Sequence, residues 1–152
     1  MKLKPLMTMH ADVRSKSEIG AGPCGTRLIV DVSGGHFEGD RLRGTILPSG
    51  ADWLLVDAEG VGHVDVRLTL KTEDAALIYV QYYGVLVMNE QVNSALAQGE
   101  STEYGDTYFM TNPRYETGDA RYKWLNRVMS VAEGRLAQGG AVEYRVFELV
   151  NG

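Results

Sequence analysis

The sequence predicts a mainly β fold: a closed or nearly closed antiparallel β-barrel of about 8–10 short strands with one short helix and a central cavity, lipocalin- or calycin-like in general architecture. Three observations predict it. Polar and apolar residues alternate over two neighbouring stretches between residues 61 and 83, the 18 glycines are spread along the chain, and no strand–helix–strand pattern is present. Closure is favoured because it removes exposed strand edges. We expect one domain spanning residues 1–152.

Composition and charge argue against several classes of partner. The net charge is -5 and the basic residues are scattered, so we expect no nucleic-acid partner. No apolar stretch approaches the ~20 residues of a membrane helix. The first ten residues, MKLKPLMTMH, lack the apolar centre of a signal peptide, so a cytoplasmic protein with no membrane partner is expected. A single cysteine, Cys24, predicts no internal disulfide.

The first third of the chain is predicted to form four short strands. Their apolar patterns place them at Leu3–Val13, Thr26–Val32, Arg41–Leu47 and Trp53–Val56. Polar, glycine-rich stretches predict a long connection over 15–25 and a turn over 33–39. The turn before the fourth strand contains Pro48 and Gly50, and we expect Asp52 to belong to this turn rather than to a reactive site.

The clearest pattern is the predicted hairpin between Val61 and Tyr83. In its first arm, polar residues alternate with aliphatic ones: His63, Asp65, Arg67 and Thr69 against Val64, Val66, Leu68 and Leu70. The second arm, LIYVQYY, alternates in the same way. A register that pairs Arg67 with Tyr79 and Asp65 with Gln81 gives one polar, aromatic face and one aliphatic face.

The second half of the chain is predicted to be less regular. A helix is expected over Asn89–Gln98, ending at a glycine. Strands are expected at Asp106–Met110, Leu125–Glu133 and Ala141–Val150, with a helix as the alternative for the second of them. The segment Asn112–Asn126 fits neither period, and we expect it to cover the mouth of the barrel. Within it, Asp119 is expected to cap a helical turn that reaches about Lys123.

Several separated motifs resemble those of the family called domain of unknown function 3237. They are GGHFEGDRLRGTILPSGADW, DVRLTLKTEDAALIYVQYYG and YFMTNPRYETGDARYKWLN, in the family's order, over roughly Gly25 to the C-terminus. The departures are small: Tyr115 stands where Phe is usual, and Ala75 and Ser49 stand where Gly is common. The resemblance implies a small β-barrel with a central cavity, often a homo-oligomer, and it implies no function.

Asp65 and Arg67 are the leading candidates for a reactive pair, because they lie two residues apart and share one strand face. One interpretation of that face is a solvated exterior. The tyrosines Tyr79 and Tyr83 and the family's D-x-R motif favour the other, a polar layer inside the barrel. The aliphatic face would then point outward and need a subunit interface, which predicts a homodimer or a higher homo-oligomer.

Inside such a cavity, four residues are predicted to be catalytic. Asp65 would be the general acid or base, and Arg67 would hold a substrate carboxylate or an oxyanion. Glu116, on the cover, is a candidate second acid, with Tyr122 as a hydrogen-bond donor. For Glu116 the alternative is a carboxylate that caps the following turn or pairs with a neighbouring arginine.

The predicted ligand-binding residues are those that could pair with an anion or stack on an aromatic group. They are Arg27, Trp53, Tyr79, Tyr83, Trp124 and Asn126. Packing at the barrel ends is an equal alternative for the two tryptophans. The histidines His10, His36 and His63 lie in separate segments without ligand spacing, so no metal site is expected. No cofactor motif is present, so no cofactor is expected.

The function predicted from these residues is binding of a small anionic or aromatic metabolite inside the barrel. Two alternatives stay open. Either the pocket performs cofactor-free general acid–base chemistry, as an isomerase, cyclase, lyase or hydrolase, or the protein is a non-catalytic ligand-binding or structural, oligomeric accessory protein. A cavity that holds a carboxyl of raised pKa would favour catalysis, and a filled interior would favour the structural role.

Overall fold

The computed structural model describes all 152 residues and contains ten strands, one α-helix and two short 3₁₀ helices. The strands are β1 (Lys2–Gly22), β2 (Gly25–Glu38), β3 (Arg43–Ile46), β4 (Gly50–Val56), β5 (Val61–Thr72), β6 (Leu77–Val87), β7 (Phe109–Thr111), β8 (Arg114–Glu116), β9 (Ser130–Leu136) and β10 (Val142–Val150). Helix α1 spans Glu90–Gln98, and the 3₁₀ helices span Lys123–Arg127 and Gln138–Gly140. None of these helices is long and apolar enough to cross a membrane.

The strands form one antiparallel sheet that closes on itself. Around the ring the order is β1, β2, β4, β5, β6, β7, β9 and β10, and β10 pairs back with β1. Strands β3 and β4 share one position, because both lie between β2 and β5. Strands β7 and β8 both pair with β6. The predicted mainly β, barrel-like fold is confirmed.

Strands β1 and β2 form one long hairpin where short strands and loops were predicted. The stretch 15–25 is paired strand apart from the turn at Pro23 and Cys24. The turn predicted over 33–39 is also wrong, because β2 continues through a bulge there. A Cβ on Gly35 would lie 1.9 Å from the carbonyl oxygen of the facing strand, so the close pairing requires glycine.

The hairpin β5–β6 has the two predicted faces, but they point the opposite way. Its β5 aliphatic residues are at most 2% exposed and fill the barrel: Val64, Val66, Leu68 and Leu70. This arrangement removes aliphatic surface from water without a partner subunit, which the predicted orientation did not. The register is two residues from the predicted one, with Arg67 opposite Gln81 and Asp65 opposite Tyr83. An even shift keeps each side chain on its own face.

Helix α1 is confirmed at its predicted position. The Asn89 side chain accepts the Val92 N–H at 2.9 Å at the first turn. Gly99 ends the helix in the left-handed conformation, and its N–H donates to the Ala95 carbonyl. Val92 and Ala95 are buried, and Leu96 packs against the core. One face of the helix therefore lies against the barrel.

The segment Asn112–Asn126 closes one end of the barrel as paired structure. Its residues Arg114–Glu116 are strand β8, which extends the sheet beside β6. Leu125 is fully buried, and the Tyr115 hydroxyl contacts the Ser130 hydroxyl at 3.1 Å. The segment is therefore a plug held by backbone pairing and core contacts.

Boundaries in this part of the chain differ from the prediction. Asp119 starts a turn, since its carbonyl accepts the Tyr122 N–H, but the helical residues come later, at Lys123–Arg127. Strand β9 accordingly begins at Ser130 rather than at Leu125, and β7 is shorter than predicted. Short irregular elements of this kind lack the periodicity that would locate their ends.

The barrel interior has two ends of different character. The packed end lies under Asn112–Asn126 and is filled by fully buried side chains, among them Phe37, Leu70, Ile78 and Leu125. The open end lies beside the outer half of the β1–β2 hairpin and helix α1, and it encloses a cavity.

Candidate functional site

The cavity at the open end has a volume of about 120 Å³. Sixteen residues line it, and thirteen of them are hydrophobic. They come from the inward positions of the barrel strands and from α1; Leu28, Leu54, Val64, Leu96, Phe109 and Leu136 are examples. Concave, mostly apolar cavities with a few polar groups are the usual form of small-molecule sites.

Asp52 is the acid inside this cavity. It lies on β4 with Leu54 and Val56 at the alternate positions that face inward. The backbone N–H of Asp65, on the neighbouring strand, donates to Asp52 Oδ1 at 3.0 Å. The carboxyl is therefore held in a fixed orientation by the sheet itself.

The surroundings of Asp52 raise its pKa from 3.8 to about 6. Burial among apolar side chains is the main cause, because it disfavours the charged form. The hydrogen bond from Asp65 lowers the pKa and the Asp65 charge raises it, while Arg27 has a smaller lowering effect. A carboxyl with this pKa exchanges protons close to neutral pH.

Two buried tyrosines lie near this carboxyl. Tyr144 lines the cavity, and its ring packs edge-on against Tyr82 at 5.3 Å between centroids and against Phe109 at 5.5 Å. Burial raises the pKa of both tyrosines above the usual 10.0, and the Asp52 charge adds to the effect. Both hydroxyls therefore stay protonated and can donate hydrogen bonds at neutral pH.

This set of groups can perform proton transfer. A carboxyl that titrates near neutrality can take a proton from carbon or oxygen and return it. A protonated tyrosine in an apolar site can stabilise negative charge that develops on a substrate oxygen. No group of three or more His, Cys, Asp or Glu side chains comes together in a way that could hold a metal ion.

Comparison with known proteins places this barrel in a family. Residues 1–149 match the family described as protein of unknown function DUF3237. The chain belongs to the DUF3237 family. It is 32% identical to the UPF0311 protein RPA1785 of Rhodopseudomonas palustris over 120 residues, which cover 79% of this chain and 76% of that protein. The resemblance of the sequence motifs to this family is thus confirmed.

Solved structures of similar proteins share this barrel fold. A β-barrel-like protein of Acinetobacter baumannii is 35% identical, with a TM-score of 0.83 over 98% of this chain and 96% of that one. The crystal structure of RPA1785 is 26% identical, with a TM-score of 0.89 over 98% and 97%. A Penicillium herquei protein, described as an enzyme, has a TM-score of 0.70 over 97% and 94% at 16% identity, a likeness of fold alone.

The predicted polar layer of Asp65 and Arg67 lies outside the barrel, so its predicted position is wrong. Arg67 is exposed and stacks over the Trp53 ring at 5.5 Å. Tyr79 and Tyr83 are 38% and 54% exposed on the same outer face. The aliphatic side chains occupy the barrel interior because their burial is favourable, whereas burial of an arginine would be costly. Asp65 still contributes to the cavity, through its backbone N–H.

The predicted residues of the plug are also remote from the cavity. The Tyr122 hydroxyl donates to Asp74 Oδ1 at 2.8 Å, and Asn126 bonds the Thr117 backbone through both of its amide atoms. Glu116 is exposed. Tyr122 and Asn126 thus hold the packed end together. Glu116 and Asn126 also line, with Tyr79, a separate surface pocket of about 370 Å³ at this end.

The remaining candidates lie on the barrel wall or its exterior. Trp124 packs partly against the core under the Arg41 guanidinium, 4.1 Å from its ring centroid. Trp53 faces outward, and the Arg27 guanidinium donates to its carbonyl at 2.7 Å. Arg27 is the one predicted ligand residue whose charge reaches the cavity, through its effect on the pKa of Asp52.

Sequence reasoning missed Asp52, Tyr82 and Tyr144. The turn prediction for Asp52 is wrong, because β4 begins at Gly50 and includes it. The signal was present in the alternation Asp52–Leu54–Val56, which places a carboxyl in an apolar stripe. Tyr82 was assigned correctly to the aliphatic face, but that face was predicted to point outward. Tyr144 carried no signal that separates it from an ordinary core residue.

Proposed function

We propose that this DUF3237 chain binds a small, mostly apolar molecule at the open end of its barrel and catalyses proton transfer on it, with Asp52 as the general acid and base. The observation that carries the proposal is a single carboxyl with a pKa near 6 inside an otherwise apolar cavity. Perturbed titration inside a cavity is typical of catalytic groups. The reaction class that fits is isomerisation through an enol or enolate.

The proposed steps use only side chains of the cavity. Ionised Asp52 removes a proton from a carbon next to a substrate carbonyl. The electron pair of that C–H bond forms a carbon–carbon double bond, and the π electrons of the carbonyl move onto its oxygen. Tyr144, supported by Tyr82, donates a hydrogen bond to this oxygen and stabilises its charge. In a substrate with a carbon–carbon double bond β,γ to the carbonyl, this enolate is a dienolate. Asp52 then returns the proton to its γ carbon, which moves the double bond into conjugation with the re-formed carbonyl and restores the carboxylate. General acid–base catalysis of this kind contributes roughly 10²–10⁴-fold to a rate.

The size of the cavity limits the substrate. Its volume of about 120 Å³ is close to that of an engineered cavity of about 150 Å³ that accepts benzene. A five- or six-membered ring or a short branched chain fits this space. The Penicillium herquei protein of the same fold is described as an enzyme, but the low identity gives fold support only. The case for catalysis here rests on Asp52.

Hydrogen–deuterium exchange tests the proposal without knowledge of the natural substrate. Cyclopentanone and cyclohexanone would be incubated with the protein in D₂O near neutral pH, and the loss of α-proton signals followed by NMR. We expect exchange to be faster with the wild-type protein than with Asp52→Asn by roughly 10²–10⁴-fold. Asp31→Asn, on the neighbouring strand, is the matched control and should exchange like the wild type. Equal rates for wild type and Asp52→Asn would contradict the proposal.

A binding protein without catalysis is the second candidate. The observation that favours it is the lining, which is hydrophobic at thirteen of sixteen positions and suits retention of an apolar ligand. The Asp52→Asn variant distinguishes the two candidate functions. Catalysis predicts that Asp52→Asn binds cyclohexanone but no longer exchanges its protons. Pure binding predicts no exchange above buffer in either protein.

We also propose that the protein is a homodimer or a higher homo-oligomer through the outer face of β4–β7. This face carries exposed large apolar side chains: Trp53, Tyr79, Tyr83, Val85, Tyr108 and Met110. Asp65 and Arg67 add both charge signs, which suits a self-complementary contact. Sedimentation analysis of wild type and Tyr83→Glu tests this. A dimer that dissociates in the variant supports the proposal, and a wild-type monomer at all concentrations contradicts it.

A further inference from the structure

The cavity contains a second charged residue that the proposed proton transfer does not use. Lys16 and Asp52 are the only charged side chains among the sixteen that line it. Lys16 lies on β1 opposite Val30 of β2, and Val30 also lines the cavity. Lys16 is exposed whereas most other lining residues are buried or half-buried, so it marks the side where the cavity meets solvent.

The Lys16 ammonium is not committed to a protein partner. It takes part in none of the ion pairs of the structure. Lys16, Val30 and Asp52 lie in one row across β1, β2 and β4, so two strand spacings, about 10 Å, separate the backbones of Lys16 and Asp52. Glu18 is the nearest acid along the strand, two residues nearer the hairpin tip, and it does not line the cavity.

We propose that Lys16 selects substrates that carry one negative charge at the end remote from the reacting carbon. This inference rests on the proposed function, since it concerns the ligand of the same cavity. An apolar body would occupy the space beside Asp52, and a carboxylate at its other end would reach the Lys16 ammonium at the solvent side. The separation keeps the substrate anion away from the Asp52 carboxylate, which like-charge repulsion requires.

Benzoate and benzamide are suitable probes, because they share a ring and differ in charge. Binding would be measured by titration of the ¹³C-labelled leucine methyl groups of the cavity, which include Leu28 and Leu54. We expect the wild-type protein to bind benzoate about twofold to fivefold more tightly than benzamide, the range of a solvent-exposed ion pair. Lys16→Met should remove this preference and Lys16→Glu should reverse it.

Two controls keep the outcomes distinct. Lys4→Met changes an exposed lysine at the packed end of β1 and should keep the benzoate preference. An unchanged preference in Lys16→Met, with ketone exchange by wild type still dependent on Asp52, would overturn the role of Lys16 alone. If neither probe shifts the cavity methyl groups and ketone exchange does not depend on Asp52, the proposed function itself falls, and this inference with it.

Discussion

The packed end and the open end of the barrel are built from the same strands and the same alternation, yet the packed end encloses a filled core and the open end encloses a cavity. At the packed end, inward positions hold Phe37, Leu70 and Ile78, and the plug adds Leu125. At the open end, an inward position of β4 holds Asp52, and space remains beside it. The difference teaches that one polar residue in an apolar stripe, together with incomplete filling, can turn part of a core into a reactive cavity.

Two aspartates show the same contrast in electrostatic terms. Asp119, on the surface of the packed end, accepts hydrogen bonds from Arg121, which lower its pKa to about 2. Asp52, at the open end, is desolvated and has a pKa of about 6. Asp119 is a permanent anion at physiological pH and holds a turn. Asp52 can change protonation state, which is what acid–base chemistry needs.

The largest expected effect is a difference between the two ends in the stability lost when a packed side chain is truncated. Leu125→Ala removes a fully buried side chain at the packed end and should lower the free energy of unfolding by about 2–5 kcal/mol. Leu96→Ala removes a half-buried side chain beside an existing cavity and should cost only about 1 kcal/mol. Urea unfolding measures both. Equal losses at the two sites would contradict the distinction between the ends.

The next effect concerns the stability cost of the reactive carboxyl. The folded-state pKa of Asp52 is raised from 3.8 to about 6, so the folded protein binds more protons than the unfolded chain in that interval. The contribution of Asp52 to the free energy of unfolding should therefore fall as pH rises from about 4 to 6 and stay lowered above it. Asp52→Asn should remove this fall and be more stable than wild type at pH 8, by on the order of 3 kcal/mol at most.

Urea unfolding of wild type and Asp52→Asn at pH 4 and pH 8 measures this difference. Asp31→Asn is the control, since it removes a carboxylate from the neighbouring strand. A gap between wild type and Asp52→Asn that is the same at both pH values would show that Asp52 is not desolvated in the folded protein.

A smaller effect is expected where a polar group serves structure alone. Asn126→Ala removes two hydrogen bonds to the Thr117 backbone within the plug, at 2.8 and 2.9 Å. We expect a loss of about 1–2 kcal/mol in the free energy of unfolding, with ketone exchange unchanged at the open end. Thermal unfolding and the exchange assay measure the two quantities. A large loss of exchange in a folded Asn126→Ala protein would mean that the ends are functionally coupled.

The smallest expected effect is that of the Asp65 side chain, on the outer face of the barrel, on the pKa of Asp52. The Asp65 charge raises the pKa of Asp52, and its backbone N–H, which lowers that pKa, survives any side-chain change. Asp65→Asn should therefore lower the pKa of Asp52 and move the pH profile of ketone exchange to lower pH. Arg67→Gln, on the same outer face, should leave the profile in place. A shift to higher pH in Asp65→Asn would contradict this electrostatic account.

The fold was largely predictable from the sequence, because strict alternation in 61–72 and 77–83 fixes which side chains share a face. Helix α1 was predictable because Asn89 and Gly99 mark its ends. Alternation does not determine which face of the hairpin points into the barrel, and the tyrosines on the polar face led to the incorrect prediction that this face points inward. That decision depends on the whole barrel, where burial of aliphatic side chains outweighs local clues.

The candidate site was less predictable for the same reason. Asp52 stands two residues after Gly50, and the turn preference of this stretch predicted a turn residue there. Asp52 instead lies within strand β4. Asp52 and Tyr144 line the same cavity from strands far apart in sequence, and only barrel closure brings them together. The plug residues were recognised as a cover, but which end they close depends on sheet order, which the sequence does not encode locally.

The most direct test of the account is the titration of Asp52 itself. Selective ¹³C labelling of aspartate carboxyl groups, with the Asp52 resonance assigned by its absence in Asp52→Asn, gives the pKa by NMR. We predict a midpoint near pH 6, well separated from surface carboxyls such as Asp119. A midpoint near the ordinary value of 3.8 would mean that water reaches the carboxyl freely, and the proposed acid–base role would be lost.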